Sequence, residues 1–116
     1  MRFVFVIRQD LDSLVHQQVL DLLEIMQDDK DSNLEIFLLD KAALLASNDL
    51  EGINKDLQNS YLEKIKKFFG RANLNVCGLA LENINLDQAK VHKDFIISGH
   101  MTLLSNVFKA DRLVEF

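Results

Sequence analysis

Apolar residues open the chain as a continuous run, Phe3-Val4-Phe5-Val6-Ile7, short and rich in β-branched and aromatic side chains. Such a run is the pattern of a strand buried on both faces. From Asp10 the period changes: Leu11, Leu14, Val15, Val19, Leu22, Leu23 and Met26 recur at helical spacing, with Asp10, Asp12 and Ser13 as candidate caps. Polar residues from Gln27 to Asn33 end that helix. Leu34-Glu35-Ile36-Phe37-Leu38-Leu39 then reads as a second strand, and a brief helix is expected at Ala42 to Ala46. Beyond Gly52, the positions Ile53, Leu57, Tyr61, Ile65 and Phe68 repeat every three or four residues, Lys64, Lys66 and Lys67 load the last turn, and Gly70 stops the helix. Leu74 to Cys77 predicts a third strand, Phe95 to Ser98 a fourth, Met101 to Lys109 a final helix and Arg112 to Phe116 a last strand.

Alternating apolar strands and amphipathic helices imply right-handed crossovers, hence an α/β fold of three layers, α/β/α, around a five-stranded mostly parallel sheet. In such sheets ligands gather outside the carboxyl ends of the strands, where loop amides and helix N-termini converge. The candidate site residues follow from that rule. They are Arg8, Gln9 and Asp10 after the first strand, Asp40 and Lys41 after the second, Cys77 and Gly78 after the third, and Ser98, Gly99 and His100 after the fourth.

Length and charge narrow the classes. The 116 residues make one domain, 1–116, and 48% hydrophobic content supports a core without metals or disulfides. Thirteen Lys and Arg against eighteen Asp and Glu give a formal charge of -5, the wrong sign for direct nucleic-acid binding. Cys77 is the only cysteine, so no intramolecular disulfide can form, and a lone thiol fits a reducing compartment; a cytoplasmic location is expected. The opening apolar run is too short for a signal-peptide core or a membrane span, so neither a targeting segment nor membrane insertion is expected.

A thiol ending a buried strand and followed by glycine is partly presented to the loop face, where backbone amides can stabilise its anion. Thiols of ordinary pKa, about 8.5, are only a few per cent ionised near neutrality, so sulfur chemistry wants a neighbouring cation or proton acceptor. Topology nominates His100, at the start of the last helix on the same sheet edge, as an orienting or proton-transfer partner. Cysteine is also among the most buried residue types, so the residues equally allow Cys77 to be a small core side chain.

The other motifs point elsewhere. His16 and His92 share no ligand spacing with each other or with Cys77, so no metal site is expected. Ser98 lacks the surrounding G-x-S-x-G of a nucleophile elbow and reads as a helix cap. Asp28, Asp29 and Asp31 lack a calcium-loop pattern and read as solvated, while Lys64, Lys66, Lys67 and Arg71 match a helix dipole. The turn Arg8-Gln9-Asp10-Leu11-Asp12 has none of the Gly, Ser and Thr with which a flavodoxin cradles phosphate. Cys77 and Ser98 stand where a phospho-receiver domain needs aspartate and lysine.

Taken together, Met1-Arg2-Phe3 with its strand, Ile36-Phe37-Leu38-Leu39-Asp40-Lys41 with Ala42, Ala43 and Asn48, Leu74-Asn75-Val76-Cys77, Ile97-Ser98-Gly99 and Asp111-Arg112-Leu113-Val114-Glu115-Phe116 resemble the DsrE/TusD-like group of small sulfurtransferases over most of the chain. The cysteine and the C-terminal block are the more specific parts. The resemblance implies a sulfur relay in which Cys77 accepts sulfane sulfur as a persulfide from a donor protein and passes it to an acceptor thiol, with no cofactor. It further implies homo-oligomers, or hetero-oligomers with related subunits. At the carboxyl edge, Gly78, Ser98, Gly99 and Asp10 are expected to line the binding region. Where that group commonly carries arginine and glycine after its cysteine, this chain reads Gly78-Leu79-Ala80-Leu81-Glu82-Asn83-Ile84-Asn85, with Glu82 the only charge. An alternative on the same fold is a non-catalytic binding or scaffold subunit with an inert cysteine.

Overall fold

The computed structural model describes residues 1–116. Its strands are β1 (Arg2–Ile7), β2 (Asn33–Leu38), β3 (Ala72–Cys77), β4 (Phe95–Ser98) and β5 (Arg112–Glu115), and its α-helices are α1 (Val15–Met26), α2 (Gly52–Lys66), α3 (Gly78–Asn83) and α4 (His100–Lys109). Two 3-10 segments, Asp40–Ala46 and Gln88–Lys90, complete the elements. The strands pair in the order β4-β3-β2-β1-β5, every pairing parallel, as the continuous apolar runs required.

The order decides which face each helix covers. From β1 to β4 the chain steps one strand at a time in one direction, so right-handed crossovers put α1, α2 and α3 on the same face of the sheet. The return from β4 to β5 runs the other way and puts α4 alone on the opposite face. Side-chain alternation agrees. Phe5, Ile7, Ile36, Leu38, Leu74 and Val76 face the three-helix layer and are fully buried, whereas Val4, Val6, Phe37, Asn75 and Cys77 face the α4 side.

Two local readings change. The first helix begins at Val15 instead of near Asp10: the preceding residues form turns, and Val15 N–H donates to Ser13 Oγ at 3.2 Å without a side-chain cap at Leu14. Residues 78–83, expected as loop, form α3.

One polar residue sits oddly. Glu35 lies mid-strand in β2 on the α4 side, half-buried, with Oε2 unpartnered and Oε1 accepting from Asn73 at 3.4 Å. Desolvation pushes its carboxyl up from the usual carboxylate range, against weaker lowering by Asn73 and Asn75. A raised acid pKa means that the folded chain holds the proton more tightly than the unfolded chain. Stability therefore falls as pH rises from the unfolded value of 4.5 through the folded one. Glu35→Gln is expected to melt above the parent at pH 7–8, with the gap closing by about pH 4. Thermal melts across that range check it, and a gap that is constant with pH would contradict it.

Candidate active site

Cys77 is the last residue of β3, and α3 starts immediately after it, so its side chain is fixed between an extended strand end and a helical turn. It is 7% exposed. The thiol is therefore less open than expected, and lies against a small cavity of about 70 Å³ lined also by Arg8, Leu39, Asp40, Leu79, Ala80, Asn83 and His100. These residues come from the ends of β1, β2 and β3, from the short helix α3 and from the start of α4, which is the carboxyl edge where the sheet was expected to hold its site.

Each wall has a local cause. Arg8 follows β1 directly, and its backbone N–H donates to Phe116 O at 3.4 Å, tying the loop to the end of β5. Asp40 opens the 3-10 segment after β2 with φ 49°, a left-handed conformation that Asp tolerates better than most residues. Its Oδ2 accepts from Arg8 Nη1 at 3.3 Å. This exposed, monodentate pair occupies one of five guanidinium N–H groups. His100 is the first residue of α4, brought to the edge by the return crossover, and it shares the cavity with Cys77 without a direct hydrogen bond between them.

The loop carrying Arg8 is held from behind. His16 on α1 is buried, and its Nε2–H donates to the carbonyls of Gln9, 3.1 Å, and Asp10, 2.9 Å. That leaves Nδ1 to accept from the Tyr61 hydroxyl of α2 at 2.8 Å. Burial raises the Tyr61 pKa well above the ordinary phenol value, so the hydroxyl stays a donor. His16, which showed no ligand spacing, is thus a satisfied core histidine that pins the β1 loop to two helices.

The remaining nominated residues do not line the Cys77 cavity. Asp10 lines a separate cavity of about 360 Å³ with Leu11, Asp12, Lys41, Leu44, Asn54 and Ile84, and its carboxylate pairs with Lys41 at 3.9 Å. Ser98 is the register partner of Cys77 on β4 but does not line the thiol cavity. Nor is Ser98 the cap of the last helix: Gly99 holds that position, and no side chain caps it. A Cβ on Gly78 would meet Gln88, Ile97 and Ser98 at 3.7–4.0 Å, ordinary contact, so close packing does not require glycine there.

The structure adds what the linear reading did not weigh. The positive charge absent from the loop after Cys77 is supplied by Arg8, from a strand two positions away in the sheet, while Glu82 is exposed and outside the cavity. Asn83 and Leu79 join the wall because 78–83 is helical. The helix-favouring run Leu79-Ala80-Leu81-Glu82 was the signal for it.

The cavity is small, about 70 Å³, with room for a few water molecules or one sulfur-sized group. No group of three or more His, Cys, Asp or Glu side chains lies within metal-binding reach of one another, and no helix is long and apolar enough to cross a membrane.

No protein-family model and no curated protein matches the chain. Solved structures do. The ychN protein from E. coli superposes with a TM-score of 0.82 at 17% identity, covering 100% of this chain and 99% of that one. A protein of unknown function from Methanobacterium thermoautotrophicum superposes with a TM-score of 0.71 at 16% identity, covering 99% of this chain and 98% of the other. At such identities the likeness is one of architecture: this chain has the fold of the ychN protein along its whole length.

Proposed function

We propose that this chain is a sulfur carrier, a candidate sulfurtransferase, that holds sulfane sulfur as a persulfide on Cys77. The observation that carries the reading is the convergence of Cys77, Arg8 and His100 on one small cavity of about 70 Å³, with room for an added sulfur. In the first half-reaction the Cys77 thiolate attacks the outer sulfur of a donor persulfide. A new S–S bond forms at Cys77, the donor's S–S bond breaks, and the donor leaves as a thiolate. The second half-reaction reverses these roles with an acceptor thiol, so no electrons are gained or lost overall. His100 takes the proton that the thiol gives up, and Arg8 offers N–H donors to the negative charge on sulfur. Donor and acceptor are proteins presenting a cysteine, and a carrier of this kind works in a reducing compartment such as the cytoplasm.

The fold likeness to the ychN protein supports the architecture that the DsrE/TusD-like resemblance implied. The test is chemical. Chain treated with a persulfide donor and freed of excess reagent should release close to one equivalent of thiocyanate on adding cyanide, and Cys77→Ser should release none. Equal release from both would remove Cys77 from the reaction.

The burial of the thiol favours a second reading, an assembly or binding subunit whose cysteine is inert. The two part on reactivity: the inert thiol resists small alkylating reagents in the folded chain, whereas the carrier thiol reacts.

A further inference from the structure

Glu35 is an acid in the middle of a central strand, a place where a charged side chain is normally paired or absent. Neither holds here. Its Oε2 is buried without a hydrogen bond, and no salt bridge reaches either carboxylate oxygen. Buried orphan oxygens are few in folded proteins, and each asks for an explanation. The surroundings of Glu35 offer one. A cavity of about 300 Å³ opens at the amino edge of the sheet, on the face that α4 alone covers, and its polar wall is Arg2, Asn33, Glu35, Arg71, Asn73 and Asn106. It lies at the opposite end of the strands from Cys77.

The wall holds two kinds of unused group. Asn73 turns its amide NH2 to Glu35 Oε1 at 3.4 Å and Asn106 turns its own to Thr102 O at 2.9 Å, so Oδ1 of both is left without a partner in the chain. With Glu35 these make three acceptors, one for each N–H of an ammonium group. The cations are also in part unused. The Arg2 guanidinium makes no hydrogen bond or ion pair, since Asp111 takes the Arg2 backbone N–H at 2.8 Å. Arg71 donates three N–H groups to the carbonyls of Gln27, Asp29 and Ser32, and two of its five remain. Arg2 and Glu35 share one face of the sheet, one strand and two residues apart, roughly 8 Å between Cα positions, yet do not pair with each other.

We infer that this cavity binds a free amino acid, its ammonium on Glu35, Asn73 and Asn106 and its carboxylate on Arg2 and Arg71. Rotation about the soft last torsion of Glu35 presents either carboxylate oxygen to the ligand. A simple anion would satisfy the guanidiniums but be repelled by Glu35, and a simple amine the reverse, whereas a small zwitterion serves both. Size agrees, because about 300 Å³ is the lower end of the range of ligand pockets. So does the carboxyl itself. Burial pushes its pKa up, and an adjacent ammonium brings it down again, so binding relieves the cost of burying that charge.

The site does not depend on the sulfur chemistry, so a Cys77→Ser chain is expected to bind equally well. Thermal melts of the whole chain near neutral pH, with each standard amino acid at about 5 mM, should find at least one that raises the melting temperature by more than about 3 °C. Acetylating the amine of that amino acid, or converting its carboxylate to the amide, should abolish the rise. Arg2→Gln, at an exposed position, and Glu35→Gln should each weaken binding at least about tenfold by calorimetry. Glu35→Gln is also expected to melt above the parent without ligand, so its lost response cannot be lost fold. No response to any amino acid overturns the proposal, as does binding that survives Glu35→Gln or acetylation of the ligand. An equal rise with sodium phosphate overturns the assigned ligand class.

Discussion

Replacing His16 by alanine is expected to lower the melting temperature by more than about 10 °C. The substitution removes a buried ring that satisfies three other groups, the Tyr61 hydroxyl and the carbonyls of Gln9 and Asp10. Tyr61 is fully buried, so its hydroxyl cannot turn to water. A cavity together with stranded polar groups costs about 3 kcal/mol, and for a domain of this size each kcal/mol is worth roughly 4 °C. Tyr61→Phe, which strands only His16 Nδ1, should cost less, about 1–2 kcal/mol. Thermal melts of both variants decide it, and a fall of less than about 3 °C for His16→Ala would show that the network is not needed to hold the β1 loop.

Arg8→Gln is expected to slow sulfur uptake by Cys77 about tenfold while leaving the fold nearly untouched. Arg8 and Asp40 are 47% and 60% exposed in their side chains, and an exposed single-contact pair contributes at most about 1 kcal/mol to stability. The loss belongs to chemistry. One charge-assisted hydrogen bond to the reacting sulfur, discounted for solvent, is worth roughly 1.4 kcal/mol, a factor of ten in rate. Asp40→Asn keeps a residue that tolerates the left-handed backbone but removes the charge competing for the guanidinium, so uptake should quicken. Second-order uptake rates at one pH, with melting curves as a fold control, separate these effects. An Arg8→Gln chain as fast as the parent would leave Arg8 as rim decoration.

The difference between what the sequence disclosed and what it hid follows from range. β1, β2 and β3 are central strands, so their apolar runs announced both the elements and the parallel sheet. The carboxyl-edge rule nominated Cys77, His100, Arg8 and Asp40 from strand ends alone, and the fold brings these four to one cavity. It could not say which of them meet. Arg8 follows β1 and Cys77 ends β3, with β2 between them, about 10 Å at the usual strand spacing, a gap that only a long side chain spans. Asp10 lies apart from these residues, its carboxylate paired with Lys41 beside a neighbouring cavity. The α4 face was hidden as well. Its single-helix cover depends on β5 pairing with β1 instead of extending past β4, and strand order leaves no mark in local periodicity. Helix propensity in Leu79 to Glu82 was legible, but Gly78 beside a cysteine read as punctuation.

If the proposed carrier function holds, Cys77, although nearly buried, takes up one sulfur atom at its small cavity. Intact-mass spectrometry of the folded chain after brief exposure to a persulfide donor tests it most directly. The account predicts a gain of one sulfur atom per chain, located on the Cys77 peptide, reversed by a reducing thiol and absent from Cys77→Ser. An unchanged mass in a chain that remains folded would contradict it.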